Sequence, residues 1–282
     1  MEDMMFEFLN RTFKDKRLGI ALGGGGARGL AHIGFLKILA DLDITPHIVS
    51  GTSIGAVIGA MYCSGLSPYE IERLYHKISI LNWSKLIDLS IPAIHGLIKG
   101  ERVTKMLKEE YKLTTFENLK IPLKVVATDF WNREEVVFDH GDLVKAIRAS
   151  ISIPGIFEAV KIDDRILTDG GAVNPVPYDI IEKDCDLLIA VDVTGELLPD
   201  NQKTESPNIF ECIINSFHIM ESALLENKLE KNSPDFLYQP PIVNISIIDF
   251  TKYDEIMEQS EPEFDRFRQD MLKFKAKCCK HS

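Results

Sequence analysis

The chain has 282 residues, 45% of them hydrophobic and 27% charged, which is core material for one large domain or two small ones. A formal net charge of −11 speaks against nucleic acid as the main partner. The five cysteines, at 63, 185, 212, 278 and 279, are odd in number and include no C-x-x-C, so neither a disulfide framework nor a zinc site is expected. No apolar run reaches the ~18 residues of a membrane span. Residues 1–10 lack the basic and apolar regions of a signal peptide. The expected setting is reducing and cytoplasmic, with peripheral contact at a membrane surface left open.

Residues 1–15 carry Met4, Met5, Phe8, Leu9 and Phe13 and are expected to form an amphipathic helix. Residues 18–22 read as a buried strand that runs into four glycines, 23–26, and then a helix from about Arg28 to Ala40. Ile44-Thr45-Pro46 turns the chain into a second strand, residues 47–50. Strands linked through a helix in this way are parallel, with a right-handed crossover. The glycine loop and the end of the second strand therefore emerge side by side at the carboxyl edge, where α/β folds place their sites. Ser67-Pro68 predicts an N-cap and first turn for the next helix. The apolar stretch 78–98, broken by Pro92 and Gly96, fits either core filler or a mobile cover over an apolar substrate.

Further along, helices are predicted at about 101–111, 143–150, 209–230 and 263–279, and strands at 123–129, 135–138, 187–193 and 242–247. Residues 159–162 and 165–167 flank Asp163-Asp164 as a hairpin, and 195–208 is a loop. Alternating strands and helices define an α/β protein, a mainly parallel sheet flanked by helices. Residues 16–250 are read as the main domain, with 1–15 and 251–282 as helical attachments. In the last helix Phe264, Phe267, Met271, Phe274 and Cys278 share one face, surrounded by Arg266, Arg268, Lys273, Lys275, Lys277 and Lys280. Such a helix either binds an anionic lipid surface or docks on the core with its basic face solvated.

Three motifs carry chemistry. Gly51-Thr52-Ser53-Ile54-Gly55 has the G-x-S-x-G spacing at a strand-to-helix turn, which lifts a serine hydroxyl clear of the sheet. Gly24, Gly26 and Gly29 match G-x-G-x-x-G, the rival dinucleotide fingerprint. That fingerprint needs an acid at the end of the second strand, where this chain has Val49-Ser50-Gly51. Asp41 and Asp43 come too early, and Arg28 does not lead into the Gly-Lys-Ser/Thr of a Walker loop. The other use of such a loop is an oxyanion hole, with amides free of side chains aimed at one oxygen. Third, Thr168-Asp169-Gly170-Gly171 closes a strand with an acid and two glycines that admit a close neighbour.

In this order, with G-G-G-A-R-G at 24–29, G-T-S-I-G at 51–55 and D-G-G at 169–171, the chain resembles the patatin-like phospholipases. Residues 148–157, Arg-Ala-Ser-Ile-Ser-Ile-Pro-Gly-Ile-Phe, look like a segment that family carries before its aspartate. The resemblance covers roughly residues 17–195. It implies a three-layer α/β/α fold, Ser53 as nucleophile and Asp169 as the base that activates it directly, without histidine. It also implies an oxyanion hole from the backbone amides around Gly24, Gly25 and Gly26. Substrates would be lipid acyl esters, phospholipid or lysophospholipid, cleaved without metal or cofactor. Arg28 is expected as an exposed or ion-paired helix residue, with contact to a phosphate as the alternative, and Arg148 as a structural ion pair. Two other readings stay open: a lipid-binding scaffold without activity, and a Ser-His-Asp triad. The triad would need His218 or His281. His218 stands in a helix beside Phe217, Ile219 and Met220, a setting suited to packing, and His32 precedes the serine in the wrong order for a hydrolase.

Overall fold

The computed structural model describes residues 16–86, 100–196 and 209–278. The expected helix at 1–15, most of the 195–208 loop, residues 87–98 of the apolar stretch and His281 lie outside the described residues. In chain order the elements are β1 (Leu18–Leu22), a 3-10 turn (Gly26–Leu30), α1 (Ala31–Asp41), β2 (Ile48–Thr52), α2 (Ile54–Cys63), α3 (Pro68–Leu86) and α4 (Glu101–Glu109). Next come β3 (Leu123–Asp129), β4 (Glu134–Phe138), α5 (Leu143–Ser150), β5 (Val160–Ile162), β6 (Arg165–Asp169), β7 (Leu187–Val191), α6 (Ile209–Lys231), β8 (Phe236–Tyr238) and α7 (Tyr253–Cys278).

The strands form one eight-stranded sheet, ordered β5-β6-β3-β2-β1-β7-β8, with β4 also paired to β3. From β3 through β2, β1 and β7 to β8 the pairing is parallel, while β4, β5 and β6 join antiparallel. Side chains alternate across the sheet. Ile20, Leu22, Ile189 and Val191 enter the larger core beneath α1, α2, α3 and α7. Ala21, Leu188 and Ala190 face the other way, onto Val176, Tyr178, Ile181 and Leu225 of α6. With both faces covered, β1 and β7 are apolar throughout. This is the expected three-layer α/β/α architecture.

The surroundings of β3 position the site. Val125 and Val126 pair with Gly51 and Thr52 of β2 and also with Phe138 and Val137 of β4, so β2 and β4 lie on opposite edges of β3. Ala127, Thr128 and Asp129 keep β4 on one edge and pair with Asp169, Thr168 and Leu167 of β6 on the other. β6 thus continues the edge that β2 vacates, running back towards it. Thr52 stands opposite Val126 and Asp169 opposite Ala127.

Ser67 forms a capping box at the start of α3, its N–H and hydroxyl both donating to Glu70 Oε2 at 2.8 Å. Two expectations need correction. Residues 242–247 form no strand with the sheet: their backbone is spent elsewhere, Ile247 O accepting from Ala27 N at 2.8 Å and Ile245 O from Arg28 Nε at 2.8 Å. The eighth strand comes earlier, at Phe236–Tyr238. The last helix starts at Tyr253, ten residues before the expected start, and carries Pro262 inside it.

That helix is docked. Phe264, Phe267 and Met271 are buried, with the rings of Phe264 and Phe267 edge-on to Phe35 at 5.0 and 5.2 Å. Gly34 makes room, since a Cβ there would lie 2.2 Å from Phe264 Cζ. The basic face is partly spent on the body, Lys275 donating to Leu42 O and Arg268 pairing with Asp41. Of the two readings of the tail, docking on the core is the one observed. No helix among the described residues is long and apolar enough to cross a membrane.

Candidate active site

β2 ends at Thr52 and α2 begins at Ile54, so Ser53 alone makes the turn. Its φ of 54° and ψ of −123° are a conformation that side-chain-bearing residues rarely adopt, a strain of about 1–3 kcal/mol that the surroundings must hold. A Cβ at Gly55 would sit 2.1 Å from Leu22 O, so glycine there lets α2 close onto β1. Ser53 N donates to Ser150 Oγ at 2.8 Å, and Ser53 O accepts from Ala56 N at 3.0 Å. Thr52 Oγ1 donates to Asn174 O at 2.8 Å. Ser53 is 4% exposed.

The meeting of β2 and β6 brings Ser53 and Asp169 together. Ser53 Oγ donates to Asp169 Oδ2 at 2.8 Å. Gly171 N donates to the other oxygen, Oδ1, at 2.8 Å. Asp169 is 1% exposed. Burial pushes its carboxyl up to about 8, the negative charge of Glu221 adds to the rise, and the bonds from Gly171 and Ser53 offset part of it. A Cβ at Gly170 would meet Val126 O at 2.4 Å, so this glycine permits the close approach to β3.

The 148–158 segment braces both partners. Ser150 Oγ holds the Ser53 amide, and Ser152 O accepts from Asp169 N at 3.0 Å and from Thr168 Oγ1 at 2.8 Å. Arg148 Nη1 donates to Ser152 Oγ at 2.7 Å and Nη2 to Glu158 O at 3.0 Å, with the guanidinium 5.3 Å from the Phe157 ring centre. Arg148 thus braces the segment, but the bonds described go to a hydroxyl and a carbonyl where an ion pair was expected.

The glycine loop lies over Ser53, for a Cβ at Gly24 would be 3.5 Å from Ser53 Cβ. Of the three expected donors, Gly24 is committed: its N–H donates to Pro175 O at 2.9 Å. Among the described residues nothing accepts from the amides of Gly25 and Gly26. Gly26, with φ of 58°, is held against Ile247, whose carbonyl oxygen would be 2.4 Å from a Cβ. Arg28 is neither exposed nor ion-paired among the described residues. It is 2% exposed, and its guanidinium donates to Ile245 O and Thr194 O. Burial lowers its proton affinity from the ordinary arginine value. It ties the 3-10 turn to the chain after β7 and to the chain after β8.

The histidines are accounted for. His32 is fully buried, its Nε2 donating to Gly23 O at 2.9 Å, and burial pushes its value down to about 4. It is a neutral brace for the glycine loop. His218 Nδ1 is 2.8 Å from Glu221 Oε2, not from Ser53. Neither stands where a triad needs it.

Four further residues at the site were not singled out from the sequence: Ser150, Thr128, Asn174 and Glu221. Ser150 lies within the quoted 148–157 segment. Thr128, which donates to Asp169 O at 2.7 Å, looks like any strand threonine. Asn174 lies just after D-G-G. Glu221, 5% exposed, had one signal, an acid among Ile219, Met220, Ala223 and Leu224.

A serine on a strained strand–helix turn, its hydroxyl on a buried carboxylate and two unshielded amides in the loop above, is the equipment of an acyl-transfer nucleophile. Residues 20–181 match the Patatin-like phospholipase family, and the chain belongs to it. It is 33% identical over 219 residues to an uncharacterised NTE family protein of Mycobacterium tuberculosis, covering 77% of this chain and 59% of that one. It is 27% identical over 279 residues to lysophospholipase NTE1 of Kluyveromyces lactis, covering 89% of this chain and 19% of that one. Neuropathy target esterase sws of Drosophila melanogaster is 32% identical over 197 residues, covering 68% of this chain and 14% of the fly protein. The chain therefore spans less than two thirds of each of these relatives. Among solved structures, VipD from Legionella pneumophila covers 90% of this chain and 67% of its own, with a TM-score of 0.49 at 11% identity.

Proposed function

We propose that the protein hydrolyses carboxylic ester bonds of phospholipids or lysophospholipids through a Ser53–Asp169 dyad. The observation that carries this reading is the 2.8 Å bond from the strained Ser53 hydroxyl to the buried Asp169. Family membership and the name of the yeast lysophospholipase support the lipid ester as substrate. Ser53 Oγ attacks the ester carbonyl as its proton passes to Asp169 Oδ2. The oxyanion faces the amides of Gly25 and Gly26 at the start of the 3-10 turn. When the tetrahedral adduct collapses, the alcohol leaves with the proton from Asp169, and Ser53 keeps the acyl group. Water then attacks the acyl-enzyme and gives its proton to Asp169, and Ser53 Oγ takes a proton back as the fatty acid departs. Exclusion of solvent from Asp169 supports its service as base, because desolvation makes a carboxylate a better proton acceptor.

The test is hydrolysis of a lysophospholipid and of a p-nitrophenyl acyl ester by the purified protein. Ser53→Ala should lose on the order of 10⁴-fold or more in rate, and a fluorophosphonate should label wild type at Ser53. Near-normal activity in Ser53→Ala would sink the dyad, and a folded wild type inert to ester and probe alike would favour the scaffold.

A further inference from the structure

Glu221 is a buried acid, 5% exposed. Among the described residues its carboxylate is bonded to one side chain, His218. Among the described residues His218 Nε2 is buried without a partner, and Nδ1 lies 2.8 Å from Glu221 Oε2. The imidazole holds the carboxylate in place. The other charges facing it are Asp169 at the end of β6 and Arg28 in the 3-10 turn, which is itself shared with Asp192 and Asp249.

The second glycine of D-G-G marks where this acid sits. A Cβ at Gly171 would lie 1.9 Å from Glu221 Oε1 and 3.2 Å from Asp169 Oδ1. One at Gly24 would lie 3.8 Å from Glu221 Oε1 and 3.5 Å from Ser53 Cβ. Both carboxylates thus lie on the side of Gly171 where a Cβ would stand, and Glu221 Oε1 occupies the space that glycine leaves. A negative charge so placed raises the hold of the buried Asp169 carboxyl on its proton.

We propose that Glu221, held by His218, is a positioning residue for the Ser53–Asp169 pair, whose negative charge makes Asp169 a stronger proton acceptor than burial alone would. The inference rests on the dyad proposed above. It gives Gly171 a function: any larger residue would push the Glu221 carboxylate away.

The experiment is the pH profile of kcat/KM on a p-nitrophenyl ester for wild type, Glu221→Gln, Glu221→Asp and Gly171→Ala, with a melting curve for each. Removing the charge in Glu221→Gln should move the acid limb to lower pH by roughly one unit and lower the plateau kcat about threefold, with KM unchanged. Glu221→Asp, which keeps the charge, should recover part of the wild-type limb. Gly171→Ala, which displaces the carboxylate without removing it, should shift the limb in the same direction, and it decides the matter alone if Glu221→Gln does not fold. An acid limb that stays in place in Glu221→Gln or Gly171→Ala overturns the inference. An inactive wild type, or an active Ser53→Ala, would instead remove the dyad beneath it.

Discussion

In the proposed reaction Asp169 acts as an anion, yet its surroundings favour the neutral acid. Its value of about 8 lies well above the ~3.9 of an aspartate in an unfolded chain. The folded protein therefore holds a proton that the unfolded chain releases between these values. The stability this contributes is fully present below the unfolded value and is lost as pH rises through about 8. Activity runs the other way and should climb through the same range. Asp169→Asn, nearly isosteric and never charged, should accordingly be inactive yet melt above wild type at alkaline pH. Scanning fluorimetry on both sides of the transition checks this, and a variant that melts lower at alkaline pH would mean that Asp169 is held as a stabilised anion. Ser53 and Asp169 were legible in the sequence because each is flanked by glycines that only a close approach of backbones requires. The commitment of the Gly24 amide to Pro175 was not legible, since it depends on where the chain after Asp169 crosses the loop.

At the scale of elements, the end of α5 and the residues after it brace both members of the dyad. Ser150→Ala would leave the Ser53 amide buried without an acceptor, a loss of about 1–3 kcal/mol. It would also free the strained turn, so kcat should fall by roughly tenfold or more while KM holds, as befits a misplaced nucleophile. An unchanged kcat in a folded Ser150→Ala protein would show that α2 and β2 hold the turn unaided. The strands β1, β2, β3 and β7 were readable because burial on both faces makes them apolar along their length. Residues 242–247 share that composition and so read as a strand, but Ile242, Ile245 and Ile247 are buried in irregular chain whose carbonyls serve the 3-10 turn. α7 passes through Pro262 because packing of its apolar residues outweighs one missing hydrogen bond.

For the molecule as a whole, α7 closes the core. Phe264, Phe267 and Met271 each contribute about 1.5–3 kcal/mol of burial, a large share of the ~5–15 kcal/mol by which a domain is stable. A chain ended after residue 252 should be insoluble or lose its cooperative melting transition. A soluble, cooperatively melting truncation would return α7 to the status of an attachment. The arrangement around β3 reaches further. Ser53 and Asp169 are 116 residues apart in sequence, yet Thr52, next to the serine, and Asp169 stand at successive positions along one edge of a single strand. That strand acts as a ruler: the reach between nucleophile and base is set by the repeat of its backbone. The chain that connects the two does not set it. The loops between them, outside β3 and the 148–158 brace, can change length while the proposed reacting atoms keep their spacing, so substrate choice can drift independently of the proposed chemistry.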